Sequence, residues 1–333
     1  KFLCLPDYLI YRLTGEVATD RTTAQFTGLF NLHSGMWEPR LLSAAQIAAD
    51  QMPDVIPPGS VAGRLRADVA AELGIPAGVP VCVGANDQLA GALGVGNVRP
   101  GVVSETTGTA LAVVSTTENL LDDPSSIVGR HAANAYYVLP YANTSAIVLK
   151  WLRDICAAGQ DYDVFLAGVE AIPVGCDGLT VLPHFSGTAS PTFNPDARGV
   201  FAGLTLSHTR LHLARAIMES CACILKECLG VIENHGMRVG SVRSLGGAAR
   251  SDLWLQMKAD LLGLPVERPA CSDAASLGAA MLAAAGVGCF KTAEEASEAW
   301  YRPERVFEPN AGHSSAYRDV YSRYLSIYDR LYG

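Results

Sequence analysis

Short apolar runs and longer amphipathic stretches alternate along the chain. Val-rich runs bounded by Gly and Pro are typical of buried strands. Five such runs predict strands over residues 79–83, 101–104, 110–114, 178–182 and 239–245. The alternation of strands with helical stretches predicts an α/β fold.

Three of the longer stretches carry a clear helical pattern. The most regular has one apolar stripe, which Gly230 is predicted to end as a C′ residue; its members are Ala214, Ile217, Met218, Cys221, Ile224, Leu225 and Cys228. A second helix is predicted to begin after Ser251, a good N-cap residue. The third carries a tyrosine-rich stripe over residues 317–331, which we interpret as a packing face rather than a ligand platform.

Composition narrows the class of protein. The 333 residues are enough for two domains with cores of their own, and 49% hydrophobic and 17% charged residues describe an ordinary globular protein. A formal charge of −8 disfavours a nucleic-acid surface. The longest apolar runs are too short for a transmembrane helix. The nine cysteines form no Cys-x-x-Cys pair, so we interpret them as buried thiols of a cytoplasmic protein rather than disulfides or a metal site.

The first candidate for chemistry is Asp87, in the segment Gly84-Ala85-Asn86-Asp87-Gln88. It follows a predicted strand, and α/β proteins tend to bind ligands at the carboxyl ends of their strands. A carboxylate there is able to act as a base toward a substrate hydroxyl. It is equally able to cap the helix that begins at Gln88, and its position alone leaves both alternatives open.

The second candidate is the hydroxyl-rich turn Thr106-Thr107-Gly108-Thr109. A glycine in a turn lets main-chain amides approach a phosphate, and the flanking hydroxyls add donors. An ordinary hairpin with strand-forming threonines explains the same residues.

The third candidate is the segment Gly246-Gly247-Ala248-Ala249-Arg250-Ser251, between a predicted strand and a predicted helix. Small residues beside a helix N-terminus favour a nucleotide, although a tight turn also requires them. Their spacing fits neither a P-loop nor a dinucleotide fingerprint. Arg250 is able either to stack on a purine or to face solvent.

Together, these segments resemble the FGGY family of carbohydrate kinases. The matching stretches appear in the family's order and cover residues 7–16, 84–88, 105–109, 246–251, 259–266 and 275–280. The resemblance implies an actin/hexokinase-type, ribonuclease H-like fold, with an ATP and sugar cleft between two α/β domains. We expect residues 1–97 to belong to the N-terminal domain and residues 98–333 to form the C-terminal, nucleotide-binding domain.

The resemblance also implies roles for individual residues, with ATP and Mg²⁺ as the cofactors. Asp87 would be the general base and would contact Mg²⁺ through water, and Gln88 would bind the substrate. Gln occupies that position in glycerol kinases, whereas xylulokinases tend to have Asn. The ATP-binding residues would be Thr107, Gly108, Thr109, Ala146, Gly246, Gly247, Ala248 and Ser251.

The activity implied is ATP-dependent phosphorylation of a small sugar or polyol, with the ketopentose xylulose as the leading candidate and a homodimer as an option. Two residues depart from the family pattern, since Ala248 replaces a common Gly and Asp273 a common Glu. The family's Asp-x-Gly-Thr hairpin is not among these residues. We therefore expect an upstream segment to be missing, and little or no kinase activity from this chain alone.

Two other functions compete with this prediction. A non-catalytic, nucleotide-binding relative that acts as a sensor or partner would have no need of Asp87. A NAD-dependent dehydrogenase is disfavoured, because residues 84–86 lack the dinucleotide fingerprint after their strand.

Overall fold

The structure is a computed structural model that describes residues 1–333. The helices are α1 (Leu5–Thr14), α2 (Arg21–Ala24), α3 (Pro39–Ala44), α4 (Ala67–Leu73), α5 (Asp87–Gly94), α6 (Ala146–Cys156), α7 (Tyr162–Phe165), α8 (Arg210–Asn234), α9 (Asp252–Leu262), α10 (Ala274–Gly286), α11 (Ala293–Trp300) and α12 (Ser314–Tyr332). The strands that precede α6 are β1 (Ala18–Asp20), β2 (Phe30–Asn31), β3 (Met36–Trp37), β4 (Asp54–Ile56), β5 (Val61–Arg64), β6 (Pro80–Cys82), β7 (Val102–Thr107), β8 (Leu111–Thr117), β9 (Ile127–Arg130), β10 (Tyr136–Leu139) and β11 (Tyr141–Ala142). The remaining strands are β12 (Thr180–Leu182), β13 (Val200–Ala202), β14 (Ser241–Leu245), β15 (Val266–Pro269) and β16 (Pro303–Phe307).

An eight-stranded mixed sheet organises the C-terminal part of the chain. Its order is β16-β15-β14-β7-β8-β10-β9, with β11 paired to β8. Strands β7, β14 and β15 run parallel to one another, and the remaining neighbours are antiparallel. The strands of this sheet alternate with helices along the chain, which confirms the predicted α/β class.

Helices cover both faces of the large sheet. Because side chains alternate along a strand, Val113 and Val114 of β8 enter two different hydrophobic clusters. The larger cluster contains buried residues of α8, α9 and α12, and the smaller contains residues of α5, α10 and α11. The sheet is therefore the middle of three layers.

Four of the five predicted strands lie where the pattern placed them, as β7, β8, β12 and β14. The fifth, at residues 79–83, forms β6 and pairs with β5 in a separate two-stranded sheet. It is not the buried strand that we predicted, because Pro80 is exposed and Val81 and Cys82 are only half-buried.

The predicted end of α8 at Gly230 is wrong. The helix continues to Asn234, because Val231 and Ile232 extend its buried stripe beyond the glycine. Gly236 adopts the left-handed conformation (φ 77°) just after the helix and so takes the terminating role that we assigned to Gly230.

The other two helix predictions are confirmed. Ser251 Oγ accepts a hydrogen bond of 3.2 Å from the main-chain N–H of Trp254, which caps α9. On α12, Tyr317 and Tyr324 are buried, so the tyrosine stripe is a packing face. None of the twelve helices combines the length and the hydropathy that a membrane span requires.

All nine cysteines are free thiols. The prediction of buried thiols holds on α8, where burial raises the pKa of Cys221 to about 11 and keeps this thiol neutral. It is wrong for Cys156 and Cys289, which are exposed because one lies at the end of α6 and the other follows α10.

Helices α5 and α10 pack in direct main-chain contact through two glycines. A Cβ atom on Gly94 would lie 2.0 Å from the carbonyl oxygen of Ala274, and one on Gly278 would lie 1.9 Å from that of Ala90. These positions therefore exclude any side chain. The helix that begins with Asp87 is thus fixed against a helix from the other end of the chain.

Candidate active site

The site lies at one edge of the large sheet, where three parallel strands end. Strand β14 pairs with β7 up to Leu245 and Thr106, and it pairs with β15 on its other side. Because parallel strands place their carboxyl ends at the same edge, the segments that follow β7, β14 and β15 converge there.

The segment after β7 is a tight hairpin. Its turn is closed by a hydrogen bond of 3.0 Å from Gly108 N–H to the carbonyl oxygen of Ala110. Thr107 is buried, Gly108 is half-buried and Thr109 is exposed. The Thr109 carbonyl accepts a hydrogen bond of 2.9 Å from Ser145 N–H, so the start of α6 at Ala146 lies beside the hairpin tip.

The segment after β14 is the glycine loop, which we define as residues 246–251. Gly246 has φ 80°, and a Cβ there would lie 3.0 Å from the carbonyl oxygen of Thr107. The loop and the hairpin are therefore in contact at a point that glycine makes possible. Residues Gly247–Arg250 form a short 3₁₀ turn that leads into α9, and Arg268 Nε holds it with a hydrogen bond of 2.8 Å to the Ala249 carbonyl.

A cleft of about 330 Å³ opens between the glycine loop and the segment after β15. Its lining residues are Ser244, Leu245, Gly246, Gly247, Ala249, Arg250, Arg268, Pro269, Ala270, Cys271, Ser272 and Glu304. Two glycines and a short apolar wall give a flat ligand access to the main chain.

The structure brings most of the predicted ATP-binding residues to this edge, but not all of them line the cleft. Gly246 and Gly247 do, whereas Ala248 points into the hydrophobic core and Ser251 serves as the N-cap of α9. Arg250, for which the sequence left two alternatives, is an exposed residue of the cleft wall.

Sequence reasoning missed the opposite wall of the cleft, which includes Arg268, Cys271 and Ser272. No motif marks these residues. The structure reveals this wall through the pairing of β15 with β14, because a strand parallel and adjacent to β14 must end beside the glycine loop.

Asp87 is the first residue of α5, and its side chain is exposed. The N-cap is Asn86, whose Oδ1 accepts a hydrogen bond of 3.1 Å from Gln88 N–H. Asp87 Oδ1 also accepts from Gln88 N–H, at 2.7 Å, and no protein group bonds to its other carboxylate oxygen. The capping role that the sequence left open for Asp87 therefore belongs to its neighbour.

Helix α5 places Asp87 near the same edge of the sheet. Gly91 lies one turn after Asp87, and a Cβ there would come within 3.7 Å of Leu245 Cδ1. Leu245 directly precedes the glycine loop and lines the cleft. Gln88, the predicted substrate-binding residue, is half-buried beside Asp87.

The sequence also matches known proteins. The C-terminal domain of the FGGY family of carbohydrate kinases matches residues 102–287, and the N-terminal domain of that family matches residues 1–94. A xylulose kinase from Bacillus subtilis is 31% identical over 330 residues, which cover 98% of this chain and 66% of the relative. A glycerol kinase from Alkalilimnicola ehrlichii is 36% identical over 296 residues, which cover 86% of this chain and 59% of the relative.

The fold has solved counterparts. The ligand-bound xylulose kinase from Lactobacillus acidophilus superposes with a TM-score of 0.89 at 26% identity, covering 98% of this chain and 67% of the kinase. The predicted actin/hexokinase-type fold is confirmed. The chain spans about two thirds of the length of the relatives it matches. Since both family domains match along it, this chain belongs to the FGGY family of carbohydrate kinases.

Proposed function

We propose that the protein carrying this chain transfers the γ-phosphoryl group of ATP to a hydroxyl of a sugar or polyol. The observation that carries the proposal is the convergence, at one sheet edge, of the hairpin, the glycine loop and the helix that begins with Asp87. Phosphoryl transfer depends on positioning and charge stabilisation more than on covalent catalysis, so a nucleotide cleft and one base are sufficient.

Asp87 is the general base of this proposal. Its exposed carboxylate retains one oxygen without a protein partner, and that oxygen accepts the proton of the substrate hydroxyl. As the proton leaves, the hydroxyl oxygen forms a bond to the γ-phosphorus, and the bond from that phosphorus to the bridging oxygen of ADP breaks. Gln88 is suitably placed to hydrogen-bond the same substrate.

The nucleotide occupies the edge of the sheet in two parts. Adenosine lies in the cleft against Gly246 and Gly247, and the phosphates extend to the hairpin, where Thr109 and the main chain at Gly108 bind them. Ala146, next to the hairpin tip, contacts the nucleotide from α6.

Mg²⁺ fits this site through the ligands that it ordinarily prefers. No group of three or more His, Cys, Asp or Glu side chains is arranged to hold a metal ion directly. Mg²⁺ in kinases is usually held by phosphate oxygens, water and one or two carboxylates, and Asp87 offers such a carboxylate. When bound, the ion supplies neutralisation of phosphate charge.

The substrate class is a small sugar or polyol, with xylulose as the leading candidate. The relatives include both xylulose kinases and glycerol kinases. The Gln88 side chain matches the glycerol kinase pattern, so both substrates belong in the test. The division at residue 97, a homodimer, a cytoplasmic location and low activity of residues 1–333 alone all stay predictions.

The test is release of ADP from MgATP by the whole protein that carries this chain, measured across a panel of ketopentoses, other sugars and polyols. We expect one or a few compounds to stimulate release and to yield a phosphorylated product by mass spectrometry. Nucleotide binding without stimulation by any compound would favour the non-catalytic sensor or partner instead. Absence of both binding and turnover would contradict either function.

A further inference from the structure

A fully buried cluster of charged and polar side chains lies beneath the hairpin and the glycine loop. Lys258 of α9 and Glu105 of β7 are both 0% exposed, and their Nζ and Oε1 atoms are 2.5 Å apart. The other members are Thr107 of β7 and Ser244 of β14, which are also buried. We call these four residues the Lys258 cluster.

The ammonium group of Lys258 is fully hydrogen-bonded within the cluster. Its donors reach Glu105 Oε1 at 2.5 Å, Thr107 Oγ1 at 2.9 Å and Ser244 Oγ at 3.3 Å. Thr107 Oγ1 and Ser244 Oγ each donate in turn to the Glu105 carboxylate. Three donors and three acceptors leave no unsatisfied proton on the lysine.

Stability alone does not explain an ion pair at this position. Buried ion pairs are often replaceable by apolar residues without loss of stability, because desolvation offsets their attraction. The surrounding face of α9 is apolar, with Leu255 and Leu261 in the same core. What the pair adds is directional bonding, which fixes three elements at one geometry.

The cluster lies at the end of the β7–β14 ladder, where Ser244 and Glu105 form the last pair but one. The β7–β14 ladder ends at the pair Thr106 and Leu245. Thr107 directly precedes Gly108 of the hairpin, and Ser244 lies two residues before Gly246 of the glycine loop. Lys258 therefore links the strand ends from which both nucleotide-contacting segments emerge.

We propose that Lys258 is a positioning residue that holds the hairpin in register with the glycine loop, so that one nucleotide spans both. The inference rests on the proposed nucleotide site but requires no sugar turnover. Ligands that contact both segments depend on the cluster, whereas adenosine, which contacts only the glycine loop and cleft, does not.

The experiment compares the affinities of ADP and adenosine by calorimetry. Lys258→Met combined with Glu105→Gln removes both charges and keeps the side-chain lengths similar, which avoids an unpaired buried charge. We expect ADP to bind about tenfold more weakly to this double variant, a change of about 1.4 kcal/mol. Adenosine affinity should stay within about twofold of the original, which is below about 0.5 kcal/mol.

Lys226→Met is the matched control. Lys226 bonds to the Leu261 carbonyl at 3.2 Å and touches neither nucleotide segment, so both affinities should be unchanged. Equal weakening of ADP and adenosine in the double variant, or no weakening, would overturn the positioning role. Failure of the unmodified protein to bind either ligand would instead contradict the nucleotide site itself.

A second variant covers the case in which the double variant does not fold. Ser244→Ala keeps the ion pair and removes two bonds of the Lys258 cluster, the one from Lys258 Nζ to Ser244 Oγ and the one from Ser244 Oγ to the Glu105 carboxylate. It should weaken the binding of ADP more than that of adenosine, by a smaller factor than the double variant does. An unchanged ratio of the two affinities in this variant would also overturn the proposal.

Discussion

The main-chain N–H of Asn86 donates a hydrogen bond of 2.8 Å to Thr22 Oγ1, across 64 residues of sequence. Thr22 is itself held by Asp20, whose carboxylate caps α2 and accepts from the Thr22 main chain at 2.7 Å and from its hydroxyl. The residue before Asp87 is thus fixed both by the cap of its own helix and by a distant segment.

Loss of the Thr22 hydroxyl should misplace Asp87. Thr22→Val keeps the shape of the side chain and leaves the Asn86 N–H without its acceptor. We expect kcat of the kinase reaction to fall by roughly ten- to a hundredfold, because small displacements of a catalytic group have effects of this size. The KM for ATP should stay unchanged, since no residue of α2 lines the proposed nucleotide cleft. Steady-state kinetics would separate the two constants.

Thr23→Val is the control for this prediction. Thr23 bonds to the other carboxylate oxygen of Asp20 at 2.5 Å but does not contact Asn86. It should lower stability by about 1 kcal/mol and leave kcat near the original value. Equal effects of the two variants on kcat would show that Thr22 acts only through the stability of α2.

The glycine contact between α5 and α10 should be intolerant of any side chain. In Gly278→Ala the new Cβ would lie 1.9 Å from the Ala90 carbonyl oxygen, and main-chain atoms have little freedom to move away. We expect the free energy of unfolding in urea to fall by about 1–3 kcal/mol or more.

Gly230→Ala is the matched helical control. Nothing lies within 4 Å of a Cβ at Gly230, and α8 continues through it. Because alanine is the better helix former, stability should stay equal or rise by up to about 1 kcal/mol. Similar destabilisation of both variants would contradict the packing of α5 on α10.

Glu227 should make stability depend on pH. Burial raises its pKa from 4.5 to about 7, although its bond from Tyr324 OH at 2.8 Å favours the charged form. Between these values the folded state retains a proton that the unfolded state has lost, so the free energy of unfolding falls as the pH rises through this window.

Glu227→Gln should remove this dependence while keeping an acceptor for Tyr324. The free energy of unfolding of the variant should equal that of the original protein near pH 4.5. Above pH 7 it should be larger by a few kcal/mol, since one pKa unit corresponds to about 1.4 kcal/mol. Urea unfolding at a series of pH values measures the difference. Parallel pH profiles of the two proteins would contradict the raised pKa.

Local patterns in the sequence predicted much of the fold. The runs that became β7 and β8 are rich in valine, which is both apolar and β-branched, and Ser251 has the chemistry of an N-cap, so burial and propensity agree at these positions. Residues 79–83 have the same composition yet form the half-buried β6, because burial depends on which elements cover a strand. The predicted end of α8 at Gly230 is wrong for a similar reason, since tertiary packing overrides the weak tendency of glycine to end a helix.

The candidate site depends mainly on contacts between distant parts of the chain. Lys258 and Glu105 are 153 residues apart, and the bond from Asn86 to Thr22 spans 64. Neither pair has a spacing that periodicity detects. Family motifs identified Asp87 and the glycine loop, but the wall after β15 emerged only from the parallel pairing of β14 and β15.

Asp87→Asn tests the central claim most directly. The amide keeps the size of the side chain but is unable to accept the substrate proton, so sugar-dependent ADP release should fall by about 10²–10⁴-fold. ADP affinity should stay unchanged, because the cleft does not include this residue. Asp68→Asn, an exposed position on α4 paired only with Arg66, should retain full turnover. Turnover of Asp87→Asn close to that of the original protein would show that Asp87 is not the base.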